Sequence, residues 1–353
     1  TSQSKFIPIT EKFLADYRHG WQVWGINVLD DHPNVSGRTI VQFSSDYDRF
    51  RTPGGTPCGN ISGLVAAAQK RIVQSLYTVP RAAAKIGDSA LKNYTSMRLA
   101  LADENVGLVM TANPSTLVHL AELVEKRSES LIRDIADGTL SPEVAIAPET
   151  RDLLRRRLNR KNPRRARTLE KIVERTGRLL PRDYWPNARV LAVWSAGSVG
   201  AYLPTLRQLY GPMPIRDHGL SASEGRMTIP LNDNLPDGVL DVSTHFFEFI
   251  PEEEYGRPDA TVLEAHELEV HRNYYILLTT SSGLYRYNIC DVVRCTGFYR
   301  TTPCLVFLHK GAHISNITGE KISESQVVSA VRASLDAMKL DVRNFTVAPS
   351  WGA

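Results

Sequence analysis

Hydrophobic residues recur at helical spacing through the first half of the chain and at strand spacing through much of the second. After Pro114 and Ser115, the residues Leu117, Leu120, Ala121, Val124, Leu131, Ile132 and Ile135 keep a period near 3.6. That spacing predicts one helix, with Ser115 as its N-cap and Gly138 as its stop. Residues 150–158 and 164–175 read as two further helices, separated by Asn162 and Pro163. From Val190 the texture changes. Residues 190–194 form a short apolar strand, 195–200 (S-A-G-S-V-G) a small-residue loop, 202–210 a helix, and 215–221 another strand. Residues 239–250, 267–280 and 283–298 carry β-branched and aromatic side chains between Pro, Gly and Asn breaks, so they read as strands, as does 305–308. A closing helix is predicted over 323–338, with Ser323 and Gln326 placed as a capping box and Val327, Val328, Val331, Leu335 and Met338 as its stripe. A mixed α/β fold follows.

The chain has 353 residues, enough for roughly two domains of the usual size. Hydrophobic content of 42% and charged content of 23% exclude a collagen, a coiled-coil rod and a disordered chain. No apolar run approaches the roughly 18 residues of a membrane helix, and the first ten residues lack a signal-peptide pattern. No membrane association is expected.

The net charge of +4 is local. Residues 151–171 hold ten basic and two acidic side chains, which leaves the rest of the chain net acidic. This stretch is either a solvated face of two helices or a patch for a polyanion. No aromatics are interleaved with it, so no nucleic-acid partner is expected. Cys58, Cys290, Cys295 and Cys304 include no C-x-x-C pair, and such sparse usage fits a reducing cytoplasm. His266 and His271 are five apart, which misses the i, i+4 spacing of a helical zinc site. No metal held by Cys or His is expected, and a monomer is favoured.

Four segments carry candidate chemistry. Thr1, Ser2, Gln3, Ser4 and Lys5 form a hydroxyl run ending in an ammonium, which can cradle phosphates or be an ordinary polar terminus. The string G-L-S-A-S-E-G at 219–225 follows a predicted strand. Its small residues admit a ligand near the backbone, and Glu224 can hold magnesium bridging phosphates or simply face solvent. In G-L-Y-R-Y-N-I-C-D-V-V at 283–293, strand alternation puts Tyr285, Tyr287, Ile289 and Asp291 on one face. An acid on a mostly apolar face needs a partner: Arg286, Arg294, or a ligand such as sugar hydroxyls. Residues 307–324 pass from strand through a Gly-punctuated loop to the last helix. They are a flexible linker, or a hinge delivering Lys310 or Lys321 to an anionic intermediate.

Taken in order, these segments resemble the acyl-adenylate-forming superfamily. Within it they resemble the plant auxin-responsive Gretchen Hagen family of acyl acid amido synthetases and its bacterial relatives. Residues 1–10 look like the end of that family's phosphate loop, and 221–225 like its S-S-E string. F-F-E-F-I at 246–250, Thr279 with Thr280, and 283–293 look like its strand motifs. Residues 317–324 look like its hinge and lysine segment. Two departures stand out: Asn288 replaces the pattern's Arg, and Cys290 replaces its Gly directly before Asp291.

The resemblance implies a large N-terminal adenylate-forming domain, 1–308, with mixed sheets and flanking helices. It also implies a hinge and the start of a smaller C-terminal α/β lid, 309–353. It implies a fragment lacking the start of the phosphate loop and most of the C-terminal domain, with little amide synthesis by these residues alone. The implied reaction uses ATP and magnesium to adenylate a small auxin-, jasmonate- or benzoate-like carboxylic acid, and then passes the acyl group to an amino acid. Thr1, Ser2, Lys5, Ser221, Ser223, Asp291 and Lys310 would bind the nucleotide. Glu224 would hold magnesium, Lys321 would contact phosphate or pyrophosphate, and Trp194, Ser195, Gly197 and Ser198 would border the acyl pocket. An acyl-CoA ligase of the same superfamily and a non-catalytic nucleotide- or polyanion-binding protein are the alternatives.

Overall fold

The computed structural model describes residues 5–311, 314–315, 322–340 and 342. Its helices are α1 (Glu11–Asp31), α2 (Ile61–Ala68), α3 (Arg71–Ser75), α4 (Ser89–Leu101), α5 (Pro114–Lys126), α6 (Ser128–Asp137), α7 (Pro148–Leu158), α8 (Pro163–Thr176), α9 (Pro181–Tyr184), α10 (Leu203–Tyr210) and α11 (Glu324–Met338). Two sheets carry the architecture, one parallel and one antiparallel.

The parallel sheet joins β1 (Thr39–Gln42), β4 (Val106–Met110), β5 (Val190–Ala192) and β6 (Ile215–Arg216), in that spatial order. Its central strands are buried throughout, as expected when both faces are covered. Side chains alternate between two cores. Val109, Leu191 and Val193 join the core of Leu117, Leu131 and Leu169. Leu108, Met110, Val190 and Ala192 pack with Trp24 and Val28 of α1. A small hairpin pairs β2 (Phe50–Arg51) with β3 (Pro57–Cys58).

The second sheet uses β7 (Thr228–Ile229), β8 (Gly238–Leu240), β9 (Phe246–Pro251), β10 (Leu263–Glu264), β11 (Asn273–Thr279), β12 (Tyr287–Tyr299) and β13 (Thr302–Lys310). Its spatial order is β10-β9-β11-β12-β13-β8-β7, antiparallel at each pairing, over a core that includes Phe249, Tyr274, Ile276, Val293 and Leu305. A last pair, β14 (Ile314–Ser315) with β15 (Ile322–Ser323), leads into α11.

Several elements differ from their sequence patterns for local reasons. The helix expected after Ser115 is two, because the chain breaks at Arg127 (φ −117°, ψ 21°) before α6. Its N-cap is Asn113, whose side-chain oxygen accepts from the Ser115 amide at 2.9 Å with Pro114 at the first helical position. Gly138 does stop α6, in a left-handed conformation. The small-residue loop is partly a 3₁₀ turn, Gly197–Tyr202, running into α10. The strand expected over 215–221 ends at Arg216, since Gly219 has φ +83°. The stretch 239–250 is broken where Thr244 bonds back to Asp241. The strand expected from 267 starts at Asn273, after a 3₁₀ turn and a left-handed His271. By contrast β13 is longer than expected and runs to Lys310. The Ser323–Gln326 capping box involves side chains outside the described residues.

Candidate functional site

Strand β12 is irregular where it matters. Leu277 of β11 pairs with Asn288 and Tyr275 pairs with Val292, so β12 carries two extra residues in between. Arg286 (φ 46°) and Cys290 (φ 60°) are left-handed. Simple alternation therefore fails here: Tyr285 is exposed, while Ile289 and Asp291 are buried. Asp291 stands opposite Lys310 of β13, and its Oδ1 lies 2.5 Å from Lys310 Nζ. The same ammonium donates to the Ile289 carbonyl at 3.0 Å. Burial pushes the Asp291 carboxyl up from the ordinary carboxylate range, and Lys310 pulls it back. The arginines expected as partners are occupied elsewhere, Arg286 with Glu248 and Arg294 with Asn273.

The two departures, Asn288 and Cys290, act together. Asn288 Oδ1 accepts from the Cys290 amide at 2.7 Å, closing the turn that precedes Asp291. Its Nδ2 donates to the Tyr255 hydroxyl at 3.0 Å. Tyr255 in turn stacks on Tyr275, with ring centroids 3.7 Å apart at 14°. Gly311 sits against that stack, since a Cβ there would fall 2.2 Å from the Tyr275 hydroxyl.

The string 221–225 forms a tight turn. Ser221 bridges to Arg226, and the Ala222 and Gly225 backbones bond to each other in both directions. Gly225 has no room for a side chain, because a Cβ would lie 2.7 Å from His245 Nε2. Ser223 is exposed, while Ser221 and Glu224 are half-buried. Glu224 acts electrostatically on both Lys5 and Asp291. Lys5 Nζ donates to the Tyr287 hydroxyl at 3.2 Å, and that bond raises the lysine from its ordinary value. Lys5, Glu224, Asp291 and Lys310, far apart in sequence, are thus linked across one region.

The loop after β5 reaches the same region from the parallel sheet. Trp194 is half-buried, and its amide donates to the Ala112 carbonyl at 2.9 Å. Ser195 donates both its amide and its hydroxyl to Asp217 Oδ2, each at 2.6 Å. Asp217 Oδ1 accepts from the Gly219 amide at 2.7 Å. Its carbonyl accepts from Trp24 of α1 at 2.8 Å. Burial pushes the Asp217 carboxyl up, while these bonds hold it down. Gly197 (φ 62°) packs on β13, where a Cβ would meet the Phe307 ring at 3.0 Å. Ser198 lies in the 3₁₀ turn that follows.

Asp217 and Arg226 were not among the residues singled out from the sequence, and Tyr287 was marked there only for the strand face that it shares with Asp291. Asp217 did leave a signal, an acid between a short strand and a glycine. Arg226 left none: it is fully buried, donates to the His218 carbonyl at 2.9 Å and stacks over Trp21 at 4.4 Å. Thr1, Ser2 and Lys321 lie outside the described residues. Among the described residues, no three His, Cys, Asp or Glu side chains group as a metal site, and no helix is long and apolar enough to cross a membrane.

The chain is similar to known proteins. The GH3 family N-terminal domain matches residues 1–215, and the GH3 family central domain matches residues 238–310. Jasmonoyl–L-amino acid synthetase JAR4 of Nicotiana attenuata is 27% identical, over 97% of this chain and 62% of the relative. Indole-3-acetic acid-amido synthetase GH3.8 of Oryza sativa subsp. indica is 31% identical, over 73% of this chain and 44% of the relative. The chain therefore spans less than two thirds of the length of these relatives. A solved structure of GH3.15 acyl acid amido synthetase superposes with a TM-score of 0.81 at 22% identity, covering 95% of this chain and 59% of that one.

Proposed function

The chain belongs to the GH3 family, and we propose that it carries the adenylate-forming core of an ATP-dependent acyl acid amido synthetase. The observation that supports this most is the linkage of Lys5, Glu224, Asp291 and Lys310, two cations and two carboxylates drawn from four distant segments. In the proposed reaction a carboxylate oxygen of a small acid attacks the α-phosphorus of ATP. The bond to pyrophosphate breaks and acyl-AMP forms. The amine of an amino acid then attacks the acyl carbon, loses a proton, and AMP leaves. The relatives named for jasmonoyl and indole-3-acetic acid conjugation support a small hydrophobic acid as the substrate class.

Such chemistry needs charge stabilisation more than a protein nucleophile. Lys5, with Thr1, Ser2, Ser221 and Ser223, would hold phosphates, and Asp291 would accept hydrogen bonds from the ribose. Lys310 would balance Asp291 before the nucleotide arrives, and Lys321 would meet phosphate or pyrophosphate. The acyl group would rest against Trp194, Ser195, Gly197 and Ser198, a loop that Asp217 fixes. Magnesium fits the donor set, since it usually takes one or two carboxylates and fills its shell from phosphate and water, and Glu224 is a half-buried carboxylate beside hydroxyls. When bound it would neutralise phosphate charge. We also propose the division into an adenylate-forming unit, 1–308, and a hinge with the start of a lid from 309, in a cytoplasmic monomer.

Acid-dependent ATP–pyrophosphate exchange, screened over aromatic and jasmonate-like acids with the full natural protein, tests the reading. The expected result is exchange with one acid class and an acid–amino acid conjugate by mass spectrometry. A thioester with coenzyme A and no amide would make it an acyl-CoA ligase. Bound nucleotide without exchange would make it a binding protein.

A further inference from the structure

The basic stretch 151–171 takes no part in the site above, and the structure divides it in two. Arg156, Arg157 and Arg160, at and just after the end of α7, line an open cavity of about 1210 Å³ beside the edge strand β1. Arg164 and Arg165, in the first turn of α8, line it too. Arg81 and Lys85 face them from the 3₁₀ turn Arg81–Lys85. Arg151, Lys161, Arg167 and Lys171 do not line it.

Charge in this cavity is poorly balanced. Its carboxylates are Asp46, Asp48, Asp103 and Glu104, against seven cations. Asp48 is already paired with Arg51 at 2.6 Å, and Asp103 accepts from the Asn105 amide at 2.8 Å. Among the described residues, none of the seven cations makes an ion pair. Three of them are held by neutral carbonyls instead, Arg81 by that of Ala67 at 3.2 Å. Arg157 donates to Tyr77 and Thr78 at 3.2 and 3.0 Å, and buried Arg165 donates to Leu101 and Tyr184 at 2.8 and 2.6 Å. Carbonyls orient a guanidinium without neutralising it. The amino end of α8, capped by Asn162, adds the positive end of a 14-residue helix. Guanidinium groups around a concave space, some of them held in place by carbonyls, suit a small ligand with several negative oxygens, through charge-assisted bonds.

We propose that this cavity is a binding site for a small polyphosphate-type anion, separate from the candidate site around Asp291. It borders β1 at one edge of the parallel sheet, whereas the 195–198 loop follows the central strand β5 and Asp217 follows β6 at the other edge. The cavity has ample room for a small molecule; Tyr47 and Tyr77 line it, but no aromatic residue lies within 151–171, which disfavours a nucleic acid stacking along the basic stretch.

Calorimetric titration of this chain with inorganic tripolyphosphate at 0.15 M salt tests the proposal. Saturable binding is expected. The triple variant Arg156→Gln/Arg160→Gln/Arg164→Gln should weaken it at least about tenfold, since each lost charge-assisted bond contributes that order on its own. The control Arg151→Gln/Lys161→Gln/Arg167→Gln changes the same net charge outside the cavity and should leave the affinity within about twofold. All six side chains are exposed, so both variants should keep the parent melting temperature. A Lys5→Ala/Asp291→Asn variant should also bind normally, which separates this site from the candidate nucleotide site. Equal weakening by both triples, loss with Lys5→Ala/Asp291→Asn, or tighter binding of single-stranded RNA than of tripolyphosphate would overturn the proposal, as would no saturable binding.

Discussion

Asp291 Oδ1 and Lys310 Nζ lie 2.5 Å apart across β12 and β13, an aspartate with only 5% of its side chain exposed against a lysine with 43% of its side chain exposed. The asymmetry sets the consequences of breaking the pair. Removing Lys310 strands a buried negative charge, whereas removing Asp291 releases a cation that can turn into solvent. Lys310→Met is expected to destabilise the protein by about 1–3 kcal/mol, the lower end reflecting screening of the exposed ammonium. In an Asp291→Asn background the same change should cost less than about 0.5 kcal/mol. Urea unfolding of the four proteins checks this, and equal costs in both backgrounds would exclude the coupling.

Nucleotide binding should follow the same carboxylate. A hydrogen bond to a charged group contributes about 1.5–3 kcal/mol, or roughly 10–150-fold in affinity. Asp291→Ala should therefore weaken ATP by about that factor in equilibrium titration. An unchanged dissociation constant would assign Asp291 to structure alone.

Glu224 lies in a turn held by the backbones of Ala222 and Gly225, so the fold does not depend on its side chain. Glu224→Gln should leave the melting temperature within about 1 °C. Acid-dependent pyrophosphate release by the full natural protein should fall, mainly in kcat. Normal turnover at saturating ATP and magnesium would remove Glu224 from the reaction.

Cys290 has φ +60° directly before Asp291. A left-handed residue with a Cβ costs roughly 1–2 kcal/mol, of which glycine recovers part after its larger unfolded-state entropy. Cys290→Gly is expected to stabilise the chain by about 0.5–1 kcal/mol, and Cys290→Val to destabilise it. Chemical denaturation with intact β12, monitored by circular dichroism, is the measurement. Destabilisation by glycine would show that contacts of the thiol outweigh the backbone term.

His218 is buried between Trp21 and Trp24, with ring centroids at 5.2 and 5.8 Å. Burial and the Arg226 charge push it down to about 3. A histidine whose folded value lies below its unfolded value of about 6.5 adds stability that is full above pH 6.5. That stability is lost as the pH falls toward the folded value. Between pH 7.5 and pH 5 this one group should remove about 2 kcal/mol. His218→Gln should flatten that part of the profile in urea titrations at both pH values, and an unchanged slope would refute the assignment.

The alternation of apolar residues determined that there would be a helical first half and a strand-rich second half, because a face that must be buried has to recur with the period of its element. The order of hydroxyls, acids and lysines likewise marked Lys5, Glu224 and Asp291. What the sequence could not supply was closure between distant segments. That Asp291 would meet Lys310 and not Arg286 or Arg294 depends on the register of β12 with β13 and on two extra residues in β12. Asp217 matters because three donors converge on it from Ser195 and Gly219, which periodicity cannot show. The same holds for the basic stretch. Its charge was plain in the chain, but only the packing of α7 and α8 against the Arg81–Lys85 turn decided which arginines surround one cavity, since a cavity is a property of space between elements and not of any one of them.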